Sequence, residues 1–251
     1  MTESVLVQHN ATTTTLLLNR PNRRNALSHE LLSALGEALA AHIPEETSEL
    51  VITGAGCCFS AGADYRELTG TIKDTAIDED IAMVTDRIRA MSIPVTAMVN
   101  GPCLGGAVDL ALSCDQRVAS ANAYFQVPAT RLSILYNPVS VQRMVLRYGR
   151  DIVHRLLVMG ERIDAPEALA TGMVAALTDD TNVDHPAQEL TTGPQRALSR
   201  VAIATRDMID AIDKEDFNLQ HWDQVRRSIL SSDERFEAVA AFKSRMQSRN
   251  R

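Results

Sequence analysis

The chain has no apolar stretch of membrane-spanning length, so no transmembrane helix is expected. Nor has it an excess of positive charge: 25 Lys and Arg stand against 32 Asp and Glu, a formal net charge of -7. That disfavours nucleic-acid binding but leaves room for a locally basic pocket around a small anionic ligand. The four cysteines, Cys57, Cys58, Cys103 and Cys114, show neither C-x-x-C pairing nor metal-ligand spacing, and are expected to be reduced and mostly buried. The opening residues, "MTESVLVQHNATTTTLLLNRP", lack a basic start followed by an apolar run. No export signal is therefore expected, and the location expected is cytoplasmic. Asn10-Ala11-Thr12 fits the glycosylation pattern by chance on that reading.

Two nucleotide-binding motifs are also missing. Gly54-Ala-Gly56 opens like G-x-G-x-x-G, but Phe59 stands where the third glycine belongs. No G-K-S/T follows any glycine run, which excludes a P-loop. Low-complexity tracts and clear internal repeats are absent as well.

What is present is ordinary globular composition, 45% hydrophobic and 23% charged over 251 residues, enough for one good-sized core with a smaller appendage. Val5–His9 and Thr13–Asn19 read as paired strands. Ser28 to Ile43 reads as a helix, with Ser28 as N-cap and Leu31, Leu35, Leu39 and Ile43 on one face. "ELVITGAG" and "PVTAMVN" read as buried strands. Phe59–Leu68 reads as a loop turning into a helix near Asp64, and Ile81, Val84, Ile88 and Met91 form a helical stripe. "QRVAS" and "AYFQVP" continue the strands, and Val139–Arg147 has helical periodicity. Asp164-Ala-Pro-Glu167 is a helix start that Gly172 closes. These features predict an α/β core over residues 1–193 and a helical region over 194–251.

The stretch Asn100–Asp115, "NGPCLGGAVDLALSCD", raises the functional question. It puts two glycines at a helix start and an acid, Asp109, among apolar residues, both unfavourable choices for an ordinary helix. A helix N-terminus offers unpartnered N–H groups and the positive end of the macrodipole. Glycine lets a ligand oxygen come close to that backbone. Gly105–Gly106 is therefore either an oxyanion or phosphate site or a tight packing contact. "GAGCCFSAGAD" is a second glycine corner that could supply a second donor.

With these corners in place, five segments resemble landmarks of the enoyl-CoA hydratase/isomerase (crotonase) family, in order and across nearly the whole chain. They are "NRPNRRNALS", "VITGAGCCFSAGADYREL", "PVTAMVNGPCLGGAVDLALSCDQRVAS", "ERIDAPEALATGMV" and "AAFKSR". The resemblance implies a crotonase-type spiral of β-β-α units and a helical C-terminal trimerisation region. It implies a homotrimer or homohexamer, and an acyl-CoA thioester as ligand. The thioester oxygen would sit between the backbone N–H groups of Ala63 and Gly106. Arg23, Arg24, Ala26, Ala61 and Asp64 match coenzyme-binding positions, as do Phe242 and Arg245 in the C-terminal helix. No metal or redox cofactor is implied, since coenzyme A is part of the substrate, and neither nucleic acid nor membrane is an expected partner.

The likeness also shows departures. A hydratase of this family holds its water with two glutamates. Asp109 matches the first, and partial burial is expected to raise its pKa and suit it to proton transfer. Where the second is expected, Pro128 is followed by Ala129, so Asp109 is expected to be the single acid/base. Tyr136-Asn137 is similar to the Tyr-Asn pair of methylmalonyl-CoA decarboxylase, also of this family, which opens a decarboxylase alternative through Tyr136. A non-catalytic acyl-CoA binder is the third alternative. Thr69–Asp80 is expected to border the acyl pocket and to be mobile.

Overall fold

The structure is a computed structural model in which residues 3–41, 43–44, 46–178, 200–213 and 216–237 are described. The chain divides into two compact units, 1–197 and 198–251.

The first unit is built on a six-stranded sheet in the order β1 (Val5–Asn10), β2 (Thr13–Leu18), β3 (Glu49–Gly54), β4 (Val95–Val99), β6 (Gln116–Ser120), β9 (Ala176–Thr178). Strands β1 and β2 form an antiparallel hairpin through Ala11, whose φ of 48° closes the tight turn. The remaining neighbours, β3, β4, β6 and β9, run parallel. Every residue of β3 and β4 is buried, so these strands read as continuous runs rather than alternating ones. A second, three-stranded sheet has the order β5 (Pro102–Leu104), β7 (Tyr124–Gln126), β8 (Ile163–Asp164).

Helix α1 (His29–Ala40) begins where Ser28 Oγ accepts from the Leu31 N–H at 3.2 Å, and it buries Leu31, Leu35 and Leu39 as their spacing requires. It ends three residues before Ile43, which is only half-buried against the core. Helix α2 (Thr75–Arg89) buries Ile77, Ile81, Val84 and Ile88 against α1 and α3 (Gly106–Ser113). Helices α4 (Pro138–Tyr148), α5 (Arg150–Val153) with a π-turn over His154–Val158, and α6 (Ala165–Ala170) follow. Asp164 accepts from the Glu167 N–H at 2.9 Å, and Gly172 takes a φ of 76° past the end of α6. The second unit contains α7 (Arg200–Asp213) and α8 (Leu219–Leu230).

The sequence reading needs correction in one place. Phe59–Leu68 forms no helix: Asp64 to Glu67 is one turn, closed by the Glu67 N–H donating to the Asp64 carbonyl at 2.9 Å. The Asp64 carboxylate pairs with Arg20 at 3.1 Å through Oδ2 and accepts from the Arg66 N–H at 3.3 Å through Oδ1. Thr69–Asp80 is organised by Asp74, whose carboxylate accepts from the Thr69 and Gly70 N–H groups at 2.7 and 2.9 Å and leads into α2. Of the cysteines, Cys57 is exposed and the other three are buried and free.

Candidate active site

The two glycine corners meet. Ser60 and Cys103 form a parallel bridge, with the Leu104 N–H donating to the Ser60 carbonyl at 3.0 Å. Gly62, at φ 80°, lies so close to the other corner that a Cβ on it would stand 2.5 Å from the Leu104 carbonyl oxygen. Gly105, at φ 55°, donates its N–H to the Gln126 carbonyl at 2.9 Å, which fixes the start of α3. Both positions need glycine, one for its backbone conformation and the close approach together.

Buried amides hold the corners from behind. Asn25 Nδ2 donates to the carbonyls of Cys58 and Ala55 at 2.7 and 3.0 Å. Asn100 Nδ2 donates to those of Gly54 and Gly56, each at 2.7 Å. Because their donors satisfy carbonyls from Gly54, at the end of β3, to Cys58, these side chains set the path of the chain that leaves the strand.

The corners open on a cavity of 1090 Å³ that is lined by Ala63, Gly106, Asp109 and Tyr136, and by Arg23, Arg24, Ala26, Ala61 and Asp64. Every motif position that the sequence singled out in the first unit thus faces one space. Phe242 and Arg245 lie outside the described residues. Ala63 pairs with Leu27, but the bonds of that bridge use the Gly62 carbonyl and the Asp64 N–H. Among the described residues neither the Ala63 nor the Gly106 N–H has an acceptor. Tyr65, Ile72, Leu132 and Leu135 also line the cavity and are exposed.

Asp109 lies one turn into α3 and is only 2% exposed. Its environment differs from the burial alone that the sequence suggested. Arg143 Nη2, from α4, donates to Asp109 Oδ1, and Ser140 Oγ donates to Oδ2 at 2.6 Å. Ser140 and Arg143 are three residues apart, so one face of α4 delivers both. Arg143 Nε is buried with no hydrogen-bond partner among the described residues. Tyr136 donates its hydroxyl to the Gly105 carbonyl at 3.1 Å, tying the segment before α4 to the corner. Burial first, and then the negative charge of Asp109, push its phenol well above the usual range. Ala129 lines the cavity after Pro128.

Sequence reasoning missed Arg143, Ser140 and the cavity-lining Asp78. Asp78, on α2, has its carboxyl raised by burial and then by the charges of Asp109 and Asp74. Only the short spacing between Ser140 and Arg143 was visible beforehand, and nothing in it says which face of α4 turns inward.

Comparison with known proteins gives these observations a family. The family model for enoyl-CoA hydratase/isomerase matches residues 8–249. The chain is 36% identical over 161 residues to the 2,3-dehydroadipyl-CoA hydratase of Escherichia coli, an alignment covering 64% of this chain and 63% of that protein. It is 30% identical over 235 residues to "Probable enoyl-CoA hydratase echA8" of Mycobacterium leprae, with 90% of each chain covered. Among solved structures, an enoyl-CoA hydratase/isomerase family protein from Hyphomonas neptunium superposes with a TM-score of 0.84 at 26% identity, over 98% of this chain and 96% of that one. The enoyl-CoA hydratase of Bacillus anthracis gives 0.79 at 26% identity, over 96% of each. The α/β fold is thus the crotonase fold that the motifs implied, and the chain belongs to the enoyl-CoA hydratase/isomerase family.

Proposed function

We propose that the chain is an acyl-CoA thioester enzyme that holds a thioester enolate between the Ala63 and Gly106 N–H groups and moves a proton through Asp109. The observation that carries this is the contact of two glycine corners on one cavity, each ending in an N–H without an acceptor among the described residues, with Asp109 one turn away. Negative charge that leaves the α-carbon collects on the thioester oxygen. Two preorganised N–H groups stabilise it there, and losing one such donor typically costs roughly 10²–10³ in rate.

Arg23 and Arg24, beside the cavity, supply charge for the coenzyme phosphates, and Ala26, Ala61 and Asp64 shape the adjoining wall. The Asp64–Arg20 pair holds that wall in place. With Ala129 after Pro128, the second family acid is lacking at its usual place, which makes this an atypical member. The assembly that we propose is a homotrimer or homohexamer, working in the cytoplasm on a substrate that brings its own coenzyme.

Decarboxylation through Tyr136 has less support. Its hydroxyl is committed to the Gly105 carbonyl, and the Asp109 carboxylate bears on its phenolic oxygen. A malonyl carboxylate would meet like charge there.

The test is incubation with a panel of enoyl- and malonyl-type thioesters, followed by mass spectrometry, with Asp109→Asn alongside. Expected are turnover of an enoyl thioester and its loss in Asp109→Asn, with coenzyme binding nearly intact. Full activity in the variant overturns the role of Asp109. Release of CO₂ establishes the decarboxylase instead, and saturable binding without any turnover establishes an inert binder.

A further inference from the structure

Four acids line the cavity, Asp64, Asp74, Asp78 and Asp109, and they are not equivalent. Asp64 is held by Arg20 and accepts from the Arg66 N–H, while Asp74 closes the turn at Thr69. Asp109 is bonded at both oxygens by Arg143 and Ser140. Among the described residues no donor bonds the Asp78 carboxylate.

We propose that Asp78 is the second acid–base group of this site, delivering a proton to the substrate α-carbon while Asp109 takes one from water. The inference rests on the reading of Ala63, Gly106 and Asp109 given above, and adds a residue that the motif after Pro128 does not supply.

The geometry comes from the packing of α2 on α3. Ile81 is buried over the glycine corner, with its Cδ1 2.6 Å from where a Cβ on Gly106 would stand. Asp78 lies three residues before Ile81, one turn along the same face of α2. Asp109 lies three residues after Gly106, one turn along α3. Both carboxylates therefore sit one turn from a single helix–helix contact, and both line the same cavity. Ile77, buried beside Asp78, and Ile81 hold this turn of α2 against the core, so the acid is carried by a fixed helix.

The two acids have different surroundings, which is how one site obtains an acid and a base. Asp109 is ion-paired with a guanidinium. Asp78 has no cationic partner among the described residues, and burial together with the charge of Asp109 raises its carboxyl, which favours the protonated form.

The step balances as a water addition. Water oxygen bonds to the β-carbon, and its proton passes to the Asp109 carboxylate. The π pair of the double bond moves to the α-carbon and thioester oxygen, where the Ala63 and Gly106 N–H groups hold it. As that enolate collapses, the α-carbon takes the proton of Asp78. Transfer of the proton from Asp109 to Asp78 restores the starting state, and the net change is one water across one double bond.

The experiment measures kcat and KM for the enoyl thioester that the panel identifies, and Kd for the corresponding saturated acyl-CoA. It uses the wild type, Asp78→Asn, Asp78→Glu and Asp109→Asn. Asp78→Asn is expected to lower kcat roughly 10²–10⁴-fold, the usual worth of a positioned acid or base. Its Kd should stay within about threefold, because a loss confined to kcat marks a group acting in the reaction rather than in binding. Asp78→Glu should recover part of kcat. Wild-type kcat in Asp78→Asn beside an inactive Asp109→Asn removes Asp78 and leaves the reading of Asp109 standing. Equal losses of kcat and of binding in both Asp78 variants make the residue structural and also overturn the proposal. A wild type that turns over no enoyl thioester removes both readings together.

Discussion

Replacing Arg143 by Met tests whether the ion pair behind Asp109 is a structural necessity of the site. Asp109 is 2% exposed and Arg143 7% exposed. The pair therefore falls in the regime where removing one partner strands a buried charge at a cost of about 3–5 kcal/mol, not the 0–1 kcal/mol of a surface pair. Methionine keeps an apolar stem of comparable reach, so lost packing contributes little. Ser140 Oγ, 2.6 Å from Asp109 Oδ2, is the one donor left to the carboxylate among the described residues. For a chain of this size 1 kcal/mol corresponds to about 2–4 °C, so Tm should fall by about 6–20 °C. In an Asp109→Asn background Arg143 is itself the stranded buried charge, so the same substitution removes it and should cost nothing or raise stability. Thermal or urea unfolding of the four proteins at matched concentration measures the coupling. An Arg143→Met cost that is the same in both backgrounds, within about 0.5 kcal/mol, would refute the reasoning.

Two further outcomes follow from the backbone and from a second buried acid. Gly62→Ala should lower kcat more than it raises KM, since a Cβ 2.5 Å from the Leu104 carbonyl oxygen must part the two corners that carry the N–H groups; steady-state kinetics with unchanged kcat would contradict it. Glu49 is buried under a 2.6 Å bond from Thr96 Oγ1, and desolvation raises its pKa above the ordinary 4.5. The folded state therefore binds a proton more tightly than the unfolded one. Stability from this group is complete below pH 4.5 and is lost as pH rises through the folded value. Glu49→Gln should thus raise Tm at neutral pH, with the gain fading below pH 4.5, whereas a gain that is flat with pH in a series of melts would count against this.

Legibility in the sequence followed the range of the interaction. Ser28 and the leucines of α1 declared themselves because capping and the 3.6-residue period act within a few residues. The same holds for Asp164 and Gly172, and for the short apolar run Leu50–Ile52 of β3. The helix expected near Asp64 misled for the opposite reason: Asp64 is paired with Arg20, 44 residues earlier, and the chain makes only one turn there. Asp74 leads the polar, sparsely anchored Thr69–Asp80 into α2 through hydrogen bonds from Thr69 and Gly70 that a hydrophobic pattern does not register.

The site divides along the same line. Gly62 and Gly105 were readable because a positive φ and a close backbone approach are steric demands that few residue types meet, so the demand is written into residue identity. Asp109 was readable as an anomaly, an acid in an apolar helix. Its partner was not, because Arg143 is 34 residues distant on a helix whose pattern separates an apolar stripe from a polar remainder without saying which polar side chain turns inward. Asp78 is the extreme case. It sits in "DTAIDED", inside a stretch expected only as a border of the pocket, and the packing of Ile77 and Ile81 beside it decides which of these acids lines the cavity. Identity is constrained where the backbone must do something unusual, whereas a side chain's chemical role depends on what the fold brings opposite it. A family motif preserves the first kind of information, and in this chain the placement of charge around the cavity belongs to the second.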